Sequence, residues 1–302
     1  MSITAQIIAD SVNPQGARLT TFVLEYPRFV HSELLTHRVF SKNAASSRAI
    51  PIEKMIEAVQ INPAMPVWWG KNQSGMQAKE ELDDTVKSHL NPYNYGEMYT
   101  ERELAKCLWI KARDIAIDQV RGLMKVGLHK QIANRILEPW FHIRIILSGT
   151  EFSNFFALRA HPDAQPEIQA LAYKMLEAYN ASTPNKLAVG EWHVPFGDQM
   201  DIKRLLNHLD ISQTVWEAKL KIAIARCARI SYLNFEGKDD YAADIKLCDR
   251  LFGANPKHLS PTEHVAQCLD SDEFVGNFRG FKQFRYTFAD QNLSDPRIKP
   301  CA

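Results

Sequence analysis

The densest cluster of reactive side chains lies in residues 36–48, which read THRVFSKNAASSR. The segment holds two arginines, a histidine, an asparagine and three serines. Guanidinium forks and hydroxyl donors suit a phosphate ester and its sugar. A solvated loop with turn-forming serines has the same composition, so composition leaves both interpretations open.

A second cluster, NFFALRAHPDAQPEI, covers residues 154–168. Arg159 stands between an apolar stretch and a predicted helix whose N-cap is Asp163. An arginine at such a junction is partly buried, and a buried guanidinium needs a partner. A ligand carbonyl or phosphate is one candidate, and Glu151 or Asp163 is the other.

Two further segments contain charged groups at suggestive spacing. In residues 129–139, HKQIANRILEP, Arg135 could reach an anion or pair with Glu138. In residues 258–264, HLSPTEH, two histidines flank a glutamate, but the spacing is not HExxH and a proline interrupts it. We therefore predict no metal there, and interpret Ser-Pro as a helix start with Glu263 in its first turn.

Composition and missing motifs exclude several classes of protein. The net charge of the 302-residue chain is only +1, which argues against a partner such as duplex nucleic acid. The five cysteines form no CxxC pair, and no signal peptide or membrane span is apparent, so we expect a cytoplasmic protein with reduced thiols. No GxGxxG, Walker A or GxSxG motif occurs, and no cysteine lies in an obvious nucleophile setting.

Hydrophobic periodicity predicts the elements that must position these clusters. Apolar residues that alternate with period two predict a strand at 19–26. The apolar run 140–147 is too short for periodicity to decide between strand and helix. Residues 62–81 form a loop-rich insert with two prolines and two glycines. The predicted helices cover 28–36, 101–126, 131–138, 163–179 and 212–232, with possible strands near 264–269 and 281–288.

The clusters together resemble the flavin-dependent thymidylate synthases, also called thymidylate synthase complementing proteins. That family's signature is Arg-His-Arg-x2-Ser-x-Asn-Glu-x-Ser-x-Arg. This sequence matches it in register at His37, Arg38, Ser41, Asn43, Ser46 and Arg48. Further similarities, in the same order along the chain, are Arg135 before Pro139 and the set Asn154, Arg159, Gln165, Glu167 and Ile168.

The resemblance implies a function, and with it cofactors and roles for these residues. It implies a dUMP methyltransferase that uses FAD, methylenetetrahydrofolate and NADPH, in a homotetramer whose sites are shared between subunits. The implied catalytic residues are Arg159, which contacts the pyrimidine, and Ser46. The implied nucleotide-binding residues are Glu33, Ser46, Ser47, Arg48, Arg135 and Arg159. The implied FAD-binding residues are His37, Arg38, Asn43, Asn154 and His258.

The resemblance also implies the fold class, α+β, with helices packed on an antiparallel or mixed sheet. We expect one domain over residues 1–302, with the loop-rich insert near 61–100. Two departures from the signature bear on function: Thr36 replaces an arginine and Ala44 replaces a glutamate. Arg279 or Arg285 could supply the missing charge. A pyrimidine nucleotide hydroxymethylase and a non-catalytic nucleotide-binding homologue are the alternative functions.

The order of the segments predicts a circular permutation. In most of the family, segments similar to residues 228–232 (ARISY) and 258–264 precede the strand that leads into the signature, whereas here they follow Arg159. Permutation is physically reasonable because chain termini of domains are often close together. We therefore expect residues 218–290 to pack back on the N-terminal strand, with His258 in the pocket of Arg38 and Arg159. A plain helix start at 258–264, far from any site, is the alternative.

Overall fold

The computed structural model describes residues 3–93, 96–206, 214–230, 240–255 and 257–288. The strands are β1 (Thr4–Val12), β2 (Arg18–Pro27), β3 (Ser41–Ala44), β4 (His89–Leu90), β5 (Met98–Tyr99), β6 (His142–Gly149), β7 (Asn185–Lys186), β8 (Trp192–His193), β9 (Ala266–Cys268), β10 (Phe274–Val275), β11 (Phe278–Arg279) and β12 (Phe281–Gln283). The α-helices are α1 (His31–Leu35), α2 (Ile52–Ile61), α3 (Glu101–Lys125), α4 (Lys130–Ala133), α5 (Ser153–Arg159), α6 (Pro166–Ala181), α7 (Ile202–Leu206), α8 (Val215–Arg229) and α9 (Tyr241–Gly253).

The central sheet has the strand order β3-β6-β2-β1-β7. Its neighbours are antiparallel except for β1 and β7, which run parallel, so the sheet is mixed. The predicted class, helices packed on an antiparallel or mixed sheet, is confirmed. A smaller sheet, β12-β9-β8, joins the C-terminal region to residues 192–193.

Strand β6 resolves the ambiguity of the run 140–147, because both of its faces are covered. Ile145 and Leu147 pack into one buried cluster with Phe22, on the side of α6. Ile146 points to the opposite face and packs into a second cluster with Ile222 of α8. A strand buried on both faces shows a continuous apolar run, which periodicity alone cannot distinguish from a helix.

The two strongest helix and strand predictions are confirmed. Strand β2 covers the predicted range 19–26 and extends it by one residue at each end. Helix α3 begins at a capping box between Thr100 and Glu103 and ends before Gly127, whose φ of +82° continues no helix. One face of α3 packs on α2 in a third buried cluster, away from the sheet.

The prediction for residues 131–138 is wrong in type over most of its length. Only Lys130–Ala133 is α-helical, and Asn134–Trp140 continues as a 3₁₀-helix that contains Pro139. Proline has no N–H to donate, so a tighter and shorter helix accommodates it better. Residues 41–44, which belong to a polar stretch that the sequence predicts to be a loop or a frayed helix start, form the edge strand β3.

The C-terminal residues return to the beginning of β2 by side-chain packing. Ala266, Cys268 and Phe281 share a buried cluster with Ala17 and Leu19. No helix in the described part of the chain has the length and apolar character needed to cross a membrane. Strand β1 and helices α2 and α9 were not predicted from the sequence.

Candidate functional site

Arg159 and His37 come together where α1 and α5 end. Arg159 Nε donates to His37 Nε2 at 3.1 Å, and Arg159 Nη2 donates to Thr36 Oγ1 at 3.3 Å. The two sequence clusters, more than a hundred residues apart, therefore meet through one guanidinium. None of its partners among the described residues is a carboxylate, so its charge is available to a ligand.

Neither of the two acidic partners that the sequence allowed for Arg159 contacts its guanidinium in the described part of the chain. Glu151 forms an ion pair with Arg279, at 2.7 Å between Oε1 and Nε. Asp163 lies 3.7 Å from His161 Nδ1. The alternative interpretation of Arg159, as half of a structural ion pair with one of these residues, is therefore wrong.

The His37 imidazole is neutral. Its Nε2 accepts from Arg159, so the proton of the ring is on Nδ1. Burial lowers the pKa of His37, and the positive charges of Arg159 and Lys42 lower it further. The ring packs edge-on against Phe155, with centroids 5.0 Å apart.

Phe40 fixes the other side of this corner. Its ring packs on Phe152 with centroids 4.9 Å apart. The close approach depends on Gly149 at the end of β6, because a Cβ at that position would lie 2.6 Å from the Phe40 ring. Gly149 therefore allows the Phe40 ring to pack closely on Phe152 and on the end of β6.

Two further cations flank His37. Lys42 Nζ donates to the His37 carbonyl oxygen at 2.5 Å, and burial lowers the pKa of Lys42 to about 8. Arg38 is exposed and has no hydrogen-bond or ion-pair partner among the described residues. With Arg159, these groups form a corner rich in positive charge.

Glu138 lies at the centre of a second polar cluster, next to the turn at residues 46–48. Its Oε1 accepts from Ser47 Oγ at 2.7 Å and from Arg135 Nη1 at 2.9 Å, and its Oε2 is 3.0 Å from Arg28 Nε. Burial alone would raise the pKa of Glu138, but these hydrogen bonds and charges hold it below its usual value. Asn134 Nδ2 donates to the Ser47 carbonyl at 2.7 Å and fixes the turn.

Arg135 therefore pairs with Glu138, the alternative that the sequence left open. Arg48 is exposed and has no hydrogen-bond or ion-pair partner in the described part of the chain. Ser46 is half-buried in the same turn. A cavity of about 410 Å³ adjoins this cluster and is lined by Arg28, Phe29, His31, Ser32, Leu35, Arg135, Glu138 and Pro139.

The C-terminal region docks on the signature strand β3. Ser41 Oγ accepts from Gln283 Nε2 at 2.8 Å and from Asn277 Nδ2 at 3.2 Å. Asn43 Nδ2 donates to the carbonyl oxygen of Cys227 in α8 at 2.7 Å. The amide of Asn43, predicted to contact FAD, is thus already used in holding α8.

A buried chain of hydrogen bonds links this C-terminal region to the sheet. It runs from Ser11 Oγ to His193 Nδ1 (2.9 Å), from His193 Nε2 to Thr21 Oγ1 (2.8 Å), from Thr21 Oγ1 to Ser148 Oγ (2.7 Å) and from Ser148 Oγ to His264 Nδ1 (2.8 Å). Burial lowers the pKa of both histidines to about 3. We call these five residues the histidine relay.

Other predicted site residues lie apart from these contacts. His258 is exposed, and its backbone N–H donates to the Leu251 carbonyl oxygen. Within the described part of the chain, no hydrogen bond or ion pair joins it to Arg38 or Arg159. Asn154 is exposed in the first turn of α5, and Glu33 accepts from its neighbour Ser32 on α1. Of the segment 228–232, residues 231 and 232 lie outside the described residues. The permutation stays a prediction.

The two arginines suggested as substitutes for the charge missing at Thr36 are both paired with carboxylates. Arg279 pairs with Glu151, and Arg285 pairs with Glu263. The sequence interpretation also overlooked Lys42 and the histidine relay. Lys42 is part of the densest cluster, and its position inside that cluster was the one signal available.

Replacing Cys227 with alanine is expected to leave turnover within about twofold of wild type, because burial raises the pKa of this thiol and the thiolate is the nucleophile. Burial also raises the pKa of Cys248, to about 12. Steady-state rates test this, with Cys107→Ser as the control at a half-exposed thiol. Complete loss of activity in folded Cys227→Ala protein would contradict the prediction.

Comparison with known proteins adds a family to this geometry. The family model described as thymidylate synthase complementing protein matches residues 17–185, more than half of the chain. The match includes both motif segments, 36–48 and 154–168, and ends before 258–264. No curated protein matches the chain.

One similar solved structure is the UMP/dUMP methylase PolB from Streptomyces cacaoi, bound with 5-Br dUMP. It is 17% identical, with a TM-score of 0.41, and the alignment covers 59% of this chain and 90% of that chain.

Proposed function

We infer a function from one premise: this chain belongs to the thymidylate synthase complementing protein family. We propose that it is a flavin-dependent thymidylate synthase, which converts deoxyuridine monophosphate (dUMP) to thymidine monophosphate (dTMP). Methylenetetrahydrofolate donates the carbon and NADPH is the reductant. FAD, when bound, supplies the hydride.

The observation that carries this proposal is the contact of Arg159 with His37 and Thr36. This contact joins the two motif segments. The partners of the guanidinium among the described residues, His37 and Thr36, are both neutral. A fixed cation of this kind can stabilise negative charge that develops on a pyrimidine ring during attack at the neighbouring carbon. In this proposal Arg159 contacts the pyrimidine carbonyls, and no cysteine nucleophile is needed.

The donors around this corner fit a dinucleotide that carries a diphosphate. Arg38 is an exposed cation without a carboxylate partner among the described residues, and His37 is neutral and can donate through Nδ1. In this proposal His37, Arg38 and Asn154 hold FAD, and Asn43 and His258 are the further FAD contacts that the family resemblance implies. The corner is half-open to solvent, which leaves room for a large cofactor.

The nucleotide phosphate is assigned to the turn at residues 46–48. Ser46 offers a hydroxyl and Arg48 an exposed guanidinium. Ser47 and Arg135 both donate to Glu138, which lies next to this turn. Glu33 would contact the nucleotide from α1. The adjacent cavity of about 410 Å³ is large enough for a nucleoside.

Replacing Arg48 with alanine is expected to weaken dUMP binding by about tenfold to a hundredfold, because a charge-assisted hydrogen bond to phosphate is lost. Ser46→Ala should have a smaller effect in the same direction. FAD affinity should stay nearly unchanged. Calorimetric titration of each variant with dUMP and with FAD measures both.

Arg135→Ala is the matched control for Arg48→Ala. Glu138 already neutralises Arg135 in the free protein, so its loss should weaken dUMP binding less than the loss of Arg48. Unchanged dUMP affinity with lost FAD affinity in Arg48→Ala would reverse the assignment of the two sites.

We further propose that the site is completed in a homotetramer. The exposed guanidiniums of Arg38 and Arg48 support this, because a second subunit could cover ligands bound to them. Mass measurement of the native protein in solution tests the subunit count, and a monomer with full activity would contradict it.

The flavin spectrum separates an enzyme from a binding module. We expect the purified protein to be yellow or to bind added FAD, and to be bleached by NADPH as the flavin is reduced. A colourless protein that binds dUMP and refuses FAD would favour the non-catalytic homologue.

A further inference from the structure

Lys42 is a half-buried cation whose charge no carboxylate balances among the described residues. Its Nζ donates to the His37 carbonyl oxygen at 2.5 Å and lies 5.8 Å from the centre of the Phe40 ring. An ammonium has three N–H donors. Two of the three have no partner in the described ranges.

The charged and titratable groups around Lys42 come from helices α1 and α5 and from the segment that follows α1. His31 stands at the start of α1, His37 follows its end, and Arg159 ends α5. Burial lowers the pKa of His31 to about 4, and that of His37 is also lowered, so both rings are neutral at pH 7. Glu138 also acts on His31, but it is held by Ser47, Arg28 and Arg135.

Burying the Lys42 ammonium without a carboxylate partner costs free energy, unless a bound anion pairs with it. Charged groups taken out of water are normally paired, because their lost hydration is otherwise uncompensated. Here burial is the cause of the lowered Lys42 pKa, and no acidic group opposes it. Lys42 and Arg159 both contact His37, Lys42 at the backbone carbonyl oxygen and Arg159 at the neutral ring.

We propose that Lys42 is an additional phosphoryl-binding residue of the cofactor site, beside His37 and Arg38. The inference rests on the proposed binding of FAD, whose diphosphate is the anion that Lys42 meets. Lys42 thereby supplies the positive charge that Thr36 lacks, since Arg279 and Arg285 are paired with glutamates.

A purely structural role makes different predictions. Lys42 donates to a carbonyl just beyond α1, and a cation at a helix C-terminus is stabilising. A capping lysine would lower the stability of the ligand-free protein when removed, and would leave FAD affinity unchanged. A phosphoryl-binding lysine does the reverse, because removing an unbalanced cation relieves its desolvation.

The test is FAD titration, followed by flavin fluorescence, of wild type, Lys42→Met, Lys42→Arg and the control Lys221→Met. Lys221 is also partly buried but pairs with Asp249 at 2.6 Å. We expect Lys42→Met to weaken FAD binding by about tenfold to a hundredfold at pH 7, as for loss of a charge-assisted hydrogen bond. Lys42→Arg should retain most of the affinity, and Lys221→Met all of it.

The pH dependence is the second readout. The diphosphate of FAD keeps its charge from pH 7 to pH 9, whereas Lys42, with a pKa of about 8, loses its proton. Binding raises the pKa of Lys42, so wild-type affinity should fall as pH rises above 8, by up to roughly tenfold per unit. Lys42→Arg should not show this fall, since a guanidinium stays charged.

The outcomes separate this inference from the proposed function. Wild type that fails to bind FAD at any pH would overturn the proposed function itself. Wild type that binds FAD with the same affinity as Lys42→Met at pH 7 and pH 9 would overturn the role of Lys42 alone. A lowered thermal midpoint in ligand-free Lys42→Met with unchanged FAD affinity would assign Lys42 to helix capping.

Discussion

Replacing Arg159 with alanine is expected to lower the turnover rate by about 10²–10³, as is typical when one donor to a developing negative charge is removed. The structural reason is that Arg159 contacts His37 and Thr36 with its guanidinium and has no carboxylate partner among the described residues. Its positive charge therefore remains for the ligand. The variant should stay folded, because the lost hydrogen bonds lie at a half-exposed corner.

Rates at saturating dUMP, together with a thermal unfolding curve, measure the effect of Arg159→Ala. Arg121→Ala is the control, because Arg121 pairs with Asp118 on the exposed face of α3. We expect the control to turn over at the wild-type rate. Folded Arg159→Ala protein that also turns over normally would show that the residue has no role in the reaction.

Acidification from pH 7 to pH 5 is expected to remove ~4 kcal/mol of folding stability through His193 and His264 together. Both rings are fully buried, and burial lowers the pKa of each to about 3. The unfolded chain therefore binds more protons than the folded chain between pH 3 and about 6.5. Stability from these rings is fully present above pH 6.5 and is lost as the pH falls.

Urea unfolding at pH 5, 6 and 7 measures this loss in wild type and in His264→Gln. The glutamine variant cannot titrate at this position, so it should lose about 2 kcal/mol less stability than wild type over the same range. If the variant does not fold, NMR titration of the wild-type imidazoles replaces it. Either equal slopes in the two proteins or a relay histidine that titrates near pH 6 would contradict the prediction.

Local signals were sufficient for the elements with a clear period and for the motif segments. The alternation of Phe22, Leu24 and Tyr26 predicted β2, and the apolar face of residues 101–126 predicted α3. The pairing of the segments 36–48 and 154–168 followed from the family resemblance. Residue spacing alone could not show that Arg159 contacts His37.

Features that depend on tertiary contacts could not be predicted. Strand β6 is buried on both faces, so its sequence lacks any alternation. His193 and His264 are isolated in sequence, and their relay exists only because Thr21 and Ser148 lie opposite each other on β2 and β6. Whether Arg135 binds a ligand or pairs with Glu138 likewise depends on where its side chain lies, which the sequence does not give.

The central claim is that this chain methylates dUMP with a flavin, and the mass of the nucleotide product tests it most directly. The protein is incubated with FAD, NADPH, methylenetetrahydrofolate and dUMP. The nucleotide is then isolated, and its mass is measured by mass spectrometry. We predict dTMP, which is heavier than dUMP by one methylene unit. Recovery of unchanged dUMP, or of a hydroxymethylated nucleotide, would contradict the claim.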